Sequence, residues 1–280
     1  MYLPIPSQPD CASAWREAVR AVDGRQSHSA YNVIIDIVDP IAHATLSDAR
    51  VAVVEAFLSD CDKSVETVAN TIFPAGLYRR YGAPAFFEIF LNNVLKKVRR
   101  SERWSGYYFE RMIQYTVAEG GARNQLWDIV ERLKDDDVRA LNKFELSLFD
   151  PVRDVDNSPY GGQCLSFMSF KVIPGTQKTL ALTVMYRNHF YIEKLLGNLI
   201  GLGRLMDFVA HEAGLNVGAL TVISTHAEID HPRRNGKPVG RSDIGALIAK
   251  FDQAATAFSA REQEKGSSNI CRLSSSAARP

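Results

Sequence analysis

Apolar residues recur along the chain with two periods, which separate helices from strands. Trp15, Val19 and Val22 fall on one face of a helix predicted over 11–23. Residues 31–38 are rich in β-branched side chains and stop at Asp39-Pro40, which predicts a strand. The same patterns predict helices over 46–59, 64–72, 86–98, 104–118, 124–134, 198–214 and 244–259, and strands over 144–149, 165–172, 179–186 and 219–223.

This mixture of elements predicts a single α+β domain over residues 1–262. We find no internal repeat and no linker between residues 11 and 260. From about Gln263 the chain is rich in serine and has little to bury, so we predict a disordered tail over 263–280.

Composition narrows the class of protein. The net charge of +1 over 280 residues gives no broad basic field, so we expect neither a nucleic-acid polymer nor a membrane surface as partner. No apolar run approaches the roughly 18 residues that span a bilayer, and the first ten residues lack the pattern of a signal peptide. The four cysteines lie far apart, without zinc-ligand spacing, which favours reduced thiols, a cytoplasmic location and no metal site.

Cys164 is the strongest candidate for chemistry. It follows a turn predicted at Pro159, Gly161 and Gly162 and opens a buried strand. A cysteine in that position is more often a small core residue than a nucleophile. Three polar residues at predicted strand or helix ends favour a nucleophilic role for Cys164. They are Arg187, Asn198 and His226.

Each of these residue types suits one part of a nucleotide. A thiol attacks as the thiolate, which a nearby cation favours, and Arg187 would supply that charge and hold a phosphate. The Asn198 amide both donates and accepts, which matches the edge of uracil, whereas an aspartate would suit cytosine better. His226 would order water or a sugar hydroxyl. The structural alternatives are a surface arginine, a helix N-cap at Asn198 and a hydrogen-bonded histidine at a strand end.

Residues 139–231 resemble the thymidylate synthase superfamily, including its pyrimidine-nucleotide hydroxymethylase branch. The segment from Cys164 to Val172 is similar to the family's strand that begins with the nucleophilic cysteine. Leu180 to Asn188 resembles the strand whose arginine holds the nucleotide phosphate. The helix from Asn198 is similar to the one whose asparagine contacts the pyrimidine ring, and His226 matches the histidine that reaches the sugar 3′-hydroxyl.

The first half of the chain resembles the family more weakly. Phe73-Pro74 and Glu88 are similar to elements whose glutamate transfers protons at the ring carbonyl, with a solvated helix glutamate as the alternative. Tyr108 begins a segment similar to the one that lines the cysteine. Arg25 takes the place of the phosphate-loop arginine, with an ordinary loop arginine as the alternative. Asn142-Lys143, with Arg139 nearby, takes the place of the basic pair that crosses the dimer interface to the phosphate, so only one charge of the pair is clearly kept.

Several residues differ from the family's pattern, mainly at the positions that bind its folate cofactor. The family's pterin-binding aspartate is Phe190 here, the histidine after the cysteine is Leu165, and the glutamine before the strand phenylalanine is Ser169. The sugar-reading tyrosine is Glu228. A Ser/Ala tail replaces the apolar C-terminal segment. The resemblance implies 5,10-methylenetetrahydrofolate as cofactor, and Phe190 with the missing segment argues against it.

The resemblance implies a large twisted mixed sheet that packs against the same sheet of a second subunit, giving a homodimer. It implies a pyrimidine mononucleotide as substrate, with Cys164 adding to C6 of the ring, most simply uracil, and a methyl or hydroxymethyl group placed on C5. Two alternatives stay open. One is the same cysteine adduct with other C5 chemistry that needs no folate, and the other is a nucleotide-binding dimer that has lost catalysis.

Overall fold

A computed structural model describes residues 2–98, 107–117, 120–135, 137–138, 140–155 and 163–276, with side chains up to residue 261. The chain divides into two compact units. The first comprises residues 1–44 and 64–230, and the second comprises residues 45–63 with the chain from His231 onward. The single domain over 1–262 and the disordered tail over 263–280 stay predictions.

The first unit holds a mixed sheet flanked by helices, which confirms the α+β class. Its strands are β1 (Leu3–Pro4), β2 (Ser29–Ile37), β3 (Tyr115–Thr116), β4 (Ala122–Arg123), β5 (Glu145–Ser147), β6 (Leu165–Ile173), β7 (Thr179–Tyr186), β8 (His189–Phe190) and β9 (Asn216–Glu228). The main sheet has the order β1-β2-β9-β7-β6-β5, with β8 beside β9. β7 runs parallel to β9 and antiparallel to β6, so the end of β7 lies beside the start of β6.

The helices of this unit pack their apolar faces on the sheet and on one another. They are α1 (Cys11–Asp23), α3 (Val65–Ile72), α4 (Ala75–Tyr81), α5 (Ala85–Ile89), α6 (Lys96–Val98), α7 (Tyr108–Ile113), α8 (Gln125–Lys134) and α9 (Leu195–Ala213), with a π-helical turn at Phe90–Leu95 and a 3₁₀ turn at Leu141–Lys143. The helix predicted over 104–118 is shorter, because the chain after Ile113 turns into β3, which pairs with β4.

The second unit contains the antiparallel pair β10 (Arg233–Arg234) and β11 (Lys237–Pro238) and the helices α2 (Ala49–Ser59) and α10 (Arg241–Ser276). The buried Arg50 side chain binds the Asp48 carboxylate at 2.7 Å and lies over the Phe258 ring at 4.0 Å from its centre. The contact with Phe258 joins α2 to α10, which continues past residue 259, where its apolar pattern fades.

Two glycines let α9 approach α3 closely enough for their backbones to touch. A Cβ atom on Gly197 would lie 2.7 Å from the Val65 carbonyl oxygen, and one on Gly201 would lie 2.8 Å from the Ala69 carbonyl oxygen. No larger side chain fits without moving one helix. This close packing fixes the first turn of α9, which carries Asn198.

We expect Gly201→Ala to lower the free energy of unfolding by about 1–3 kcal/mol, because the clash with α3 outweighs the gain in helix propensity. Gly245→Ala in α10 is the matched control. A Cβ there meets nothing within 4 Å, so that variant should gain up to about 1 kcal/mol. Denaturant unfolding of both variants measures the difference, and equal stabilities would contradict the tight α3–α9 contact.

Candidate active site

Cys164 lies at the start of β6, against the end of β7. The Arg187 amide donates to the Cys164 carbonyl oxygen at 2.9 Å, and the Arg187 Nε donates to the Gln163 carbonyl oxygen at 3.1 Å. The Cys164 side chain is half-buried. The sheet register therefore places the backbones of Cys164 and Arg187 side by side, and the predicted role of Arg187 in binding phosphate stays a prediction.

The thiol opens into a cavity of about 240 Å³. The polar side chains lining it include Tyr108, Cys164, Tyr186, His189, Lys194 and Asn198. They come from α7, β7, β8, the first turn of α9 and the residues just before β6 and α9, so the cavity lies at one end of the sheet. The volume is somewhat below the roughly 300 Å³ at which drug-sized pockets begin, and it suits a small ring.

Nearby charges and burial shift the pKa of the Cys164 thiol in opposite directions. Burial raises the pKa of Cys164, while Arg187 and Lys194 lower it. The net shift is upward, so the free protein holds the neutral thiol near neutral pH. Lys194 was not singled out from the sequence, because a lysine before a helix gives no signal of a site until the fold brings it to the cavity.

We expect Arg187→Gln to raise the Cys164 pKa further and to slow its alkylation by iodoacetamide at pH 8 by about 3- to 10-fold, since only the thiolate reacts. The profile of rate against pH should move to higher pH. Arg25→Gln removes an exposed arginine that is not among the charges acting on the Cys164 thiol, and its profile should match the wild type. Coinciding profiles for all three proteins would show that Arg187 does not act on the thiol.

Tyr108 is placed against the nucleophile. Backbone groups of Leu165 and Cys164 hydrogen-bond its hydroxyl, and burial and the Cys164 sulfur together raise its pKa. The Tyr186 ring meets the Tyr108 ring edge-on, with centres 6.3 Å apart. The Tyr186 hydroxyl is buried and has no hydrogen-bond partner among the described residues, so it is a donor that a ligand or a water would satisfy.

Asn198 is buried in the first turn of α9 and lines the cavity. Its amide nitrogen donates to His189 Nε2 at 2.9 Å, and His189 Nδ1 lies 3.0 Å from the Ser224 hydroxyl. Asn198 is not an N-cap, because Lys194 precedes the helix and the Asn198 amide N–H bonds the Lys194 carbonyl oxygen. His189 and Ser224 were not proposed from the sequence, which gives no sign that they bond across 35 positions.

The predicted sugar-binding residues lie next to the cavity. His226 does not line it, but its Nδ1 is 2.6 Å from Oδ1 of Asn188, which does. The His226 ring also lies 5.2 Å from the Tyr31 ring. Glu228 pairs with Phe190 across β8 and β9, and Phe190 lines the cavity.

Seven predicted residues are not among those that line the cavity: Arg187, His226 and Glu228, which lie beside it, and Glu88, Lys143, Arg25 and Arg139. Glu88 and Lys143 are exposed, on α5 and on the 3₁₀ turn. Arg25 lies with Tyr31 in a second cavity, of about 460 Å³. Arg139 falls outside the described residues. The roles assigned to these residues stay predictions.

The described residues contain neither a membrane-spanning helix nor a cluster of metal-ligating side chains. Among them, no helix is both long and apolar enough to cross a bilayer. Over the same part of the chain, no three histidine, cysteine, aspartate or glutamate side chains come together as a possible metal site.

Comparison with known proteins gives a partial similarity. No family model matches the chain. A stretch of 69 residues is 35% identical to a protein of Methanococcoides burtonii named "Putative thymidylate synthase". The match covers 24% of this chain and 30% of that protein, so it spans less than a third of the relative's length.

Proposed function

We propose that this protein is a thymidylate-synthase-like transferase that adds Cys164 to C6 of a uracil nucleotide and modifies C5 by methylation or hydroxymethylation. The observation that carries the proposal is the single cavity that gathers Cys164, Tyr108 and Asn198. A nucleophile, a proton-bearing phenol and an amide are the groups that this chemistry requires. The partial similarity to a protein named for this class supports it.

The first step forms a bond between the Cys164 sulfur and C6. The electrons of the C5–C6 double bond move onto C5 and the ring carbonyl, which makes C5 nucleophilic. C5 then takes its substituent and loses its hydrogen, and the sulfur leaves C6 as the double bond returns. The neutral thiol first gives its proton to water, and the positive charges of Arg187 and Lys194 would stabilise the resulting thiolate and attract an anionic nucleotide.

The proton transfers need groups near the reacting ring. The buried Tyr108 hydroxyl lies against the backbone of Cys164 and keeps its proton at neutral pH, because its pKa is raised. It would order the water that removes the C5 hydrogen. Glu88 is the predicted partner at the ring carbonyl, although its side chain is exposed.

The described cavity does not fit a reduced folate. Phe190 lines it where the family's aspartate would accept the pterin's hydrogen bonds, and no carboxylate replaces it among the lining residues described. This favours a second candidate, in which the same cysteine adduct serves C5 chemistry without folate. Isothermal calorimetry with 5,10-methylenetetrahydrofolate separates the two, since micromolar affinity would exclude the second.

The proposed homodimer is supported by an apolar row on the sheet. Phe167 pairs with Met185, Met185 with Ile223, and Ile223 with Ile34, so the four side chains cross four neighbouring strands. Phe167 and Met185 are each 38% exposed. A contiguous apolar stripe of this kind suits burial against a second copy of the sheet.

We expect Met185→Lys to convert the dimer into a monomer, because the dimer would bury an unpaired charge at the centre of the row. Val152→Lys is the matched control, since Val152 is 89% exposed in a turn outside the sheet. Sedimentation equilibrium of the wild type and both variants tests this. A wild-type monomer, or a Met185→Lys dimer of unchanged affinity, would contradict the sheet-to-sheet arrangement.

The substrate class is tested by thermal shift with the 5′-monophosphates of uridine, deoxyuridine, cytidine and deoxycytidine. A ligand that binds only the native state raises the unfolding midpoint, and at 100 times its Kd it adds about 2.7 kcal/mol of stability. We expect the uracil nucleotides to give the largest rise. If none of the four moves the midpoint, the protein does not act on a pyrimidine mononucleotide.

A further inference from the structure

Behind Asn198 lies a chain of buried hydrogen bonds that the proposed chemistry does not use. The Tyr191 hydroxyl lies 3.2 Å from the Ser224 hydroxyl, which lies 3.0 Å from His189 Nδ1. His189 Nε2 in turn lies 2.9 Å from the Asn198 amide nitrogen. All four side chains are at least 97% buried, so no water competes for these bonds.

The bond to Asn198 fixes the position of the proton on His189. Burial lowers the pKa of His189 to about 3, so the ring is neutral at physiological pH and has one donor and one acceptor nitrogen. An amide nitrogen can only donate, so Nε2 must be the acceptor. Nδ1 therefore carries the proton and donates it to the Ser224 oxygen.

The ring itself has no freedom to turn. It stacks on Tyr186 with centres 4.0 Å apart and planes 12° apart, and it meets the Tyr191 ring edge-on at 5.5 Å. Two flanking rings and two hydrogen bonds thus hold the orientation of the imidazole.

The proton on Nδ1 and the orientation of the Asn198 amide support each other, because the reversed amide would require His189 to carry its proton on Nε2 and Ser224 to donate to Nδ1. Turning the amide by 180° would set its oxygen against Nε2, so that two acceptors would face each other in a dry site, and an unsatisfied buried group costs about 1–3 kcal/mol. One N–H of the amide is used by His189. The oxygen and the second N–H are left for a ligand in the cavity.

We propose that His189 is the positioning residue that makes this site choose uracil over cytosine, an inference that rests on the proposed function. Uracil presents a carbonyl oxygen beside an N–H, whereas cytosine presents an amino group beside an unprotonated nitrogen. An amide of fixed orientation can pair with the uracil edge. Against the cytosine edge it would set donor against donor and acceptor against acceptor. A freely turning amide would accept both.

The test is the ratio of the Kd values for cytidine and uridine 5′-monophosphate, measured by calorimetry at pH 7. We expect the wild type to bind uridine 5′-monophosphate about 10- to 100-fold more tightly. This is the loss of affinity expected when one buried donor or acceptor is left without a partner. His189→Phe keeps a ring on Tyr186 but removes the acceptor, and it should bring the ratio to within about 3-fold of unity. His231→Phe is the matched control, since His231 bonds the Val239 carbonyl oxygen and does not line the cavity.

A second variant guards against a folding failure. Ser224→Ala removes the acceptor that holds the proton on Nδ1, so the other tautomer becomes accessible and the ratio should fall between those of the wild type and His189→Phe. A tautomer readout is independent of binding, because nitrogen NMR of ¹⁵N-histidine-labelled protein reports which ring nitrogen carries the proton. We expect the Nδ1–H form for His189.

The outcomes separate this inference from the function on which it rests. If the wild type binds no pyrimidine nucleotide, the proposed function fails and the inference fails with it. If the wild type selects uracil and His189→Phe and Ser224→Ala keep the same ratio, the function stands and the inference is wrong. The Nε2–H tautomer in the wild type would overturn the inference by itself.

Discussion

Replacing Cys164 with serine is expected to reduce tritium release from 5-tritiated uridine or deoxyuridine 5′-monophosphate on the order of 1,000-fold or more. Release requires that C5 become nucleophilic, which happens only after an adduct forms at C6. A serine hydroxyl in the same place keeps its proton at neutral pH and attacks poorly. The nucleotide should still bind, because Asn198, Arg187 and Lys194 are unchanged.

Cys11→Ser provides the matched control. The Cys11 sulfur is buried and bonds the Pro40 carbonyl oxygen at 3.2 Å, a bond that a serine hydroxyl can keep. Its tritium release should stay within about 2-fold of the wild type, since a retained buried hydrogen bond limits the loss of stability. Release by Cys164→Ser at the wild-type rate would place the nucleophile elsewhere.

Replacing Asn198 with aspartate is expected to reverse the choice of base. A carboxylate only accepts, so it repels the uracil carbonyl and accepts from the amino group of cytosine. We expect the affinity for uridine 5′-monophosphate to fall about 10- to 100-fold and the cytidine nucleotide to bind more tightly than in the wild type. His189 would then carry its proton on Nε2 and donate to the new carboxylate.

The matched change for this variant is Asn216→Asp. Asn216 is exposed at the start of β9, where its amide donates to the Gln177 side chain at 2.7 Å. Calorimetry with both nucleotides should find this variant unchanged. Equal losses for both nucleotides in Asn198→Asp would show that Asn198 supports the cavity without reading the base.

The elements of the fold were largely predictable because local patterns specify them. The helix over 11–23 and the strand over 179–186 have the predicted bounds. The stop at Asp39-Pro40 and the apolar face of α1 depend only on nearby residues. Short elements such as α4 and β8 were missed, because a few residues are too short to show a period.

The cavity was predictable only in part. Cys164, Arg187 and Asn198 stand at the ends of strong elements, so their order along the chain already placed them near one another. Lys194, Ser224 and the role of His189 depend on the register between β7, β8 and β9, which no local pattern encodes. Their contribution became visible only through distances in the folded chain.

Glu88 is exposed, and its role as a proton relay stays a prediction. Its place fifteen residues after Phe73 resembled that of the family's proton-relay glutamate. A helix start fixes the position of a residue along the axis, but packing decides which face meets the site. α5 buries Phe86 and Phe87 and leaves Glu88 exposed.

The central claim is that Cys164 forms a reversible bond with C6 of a uracil nucleotide. The most direct measurement is the release of tritium into water when the wild-type protein is incubated with 5-tritiated uridine or deoxyuridine 5′-monophosphate, without any added one-carbon donor. The account predicts release with at least one of them, in proportion to the protein added. Saturable binding of both nucleotides with no release above that of Cys164→Ser would contradict it.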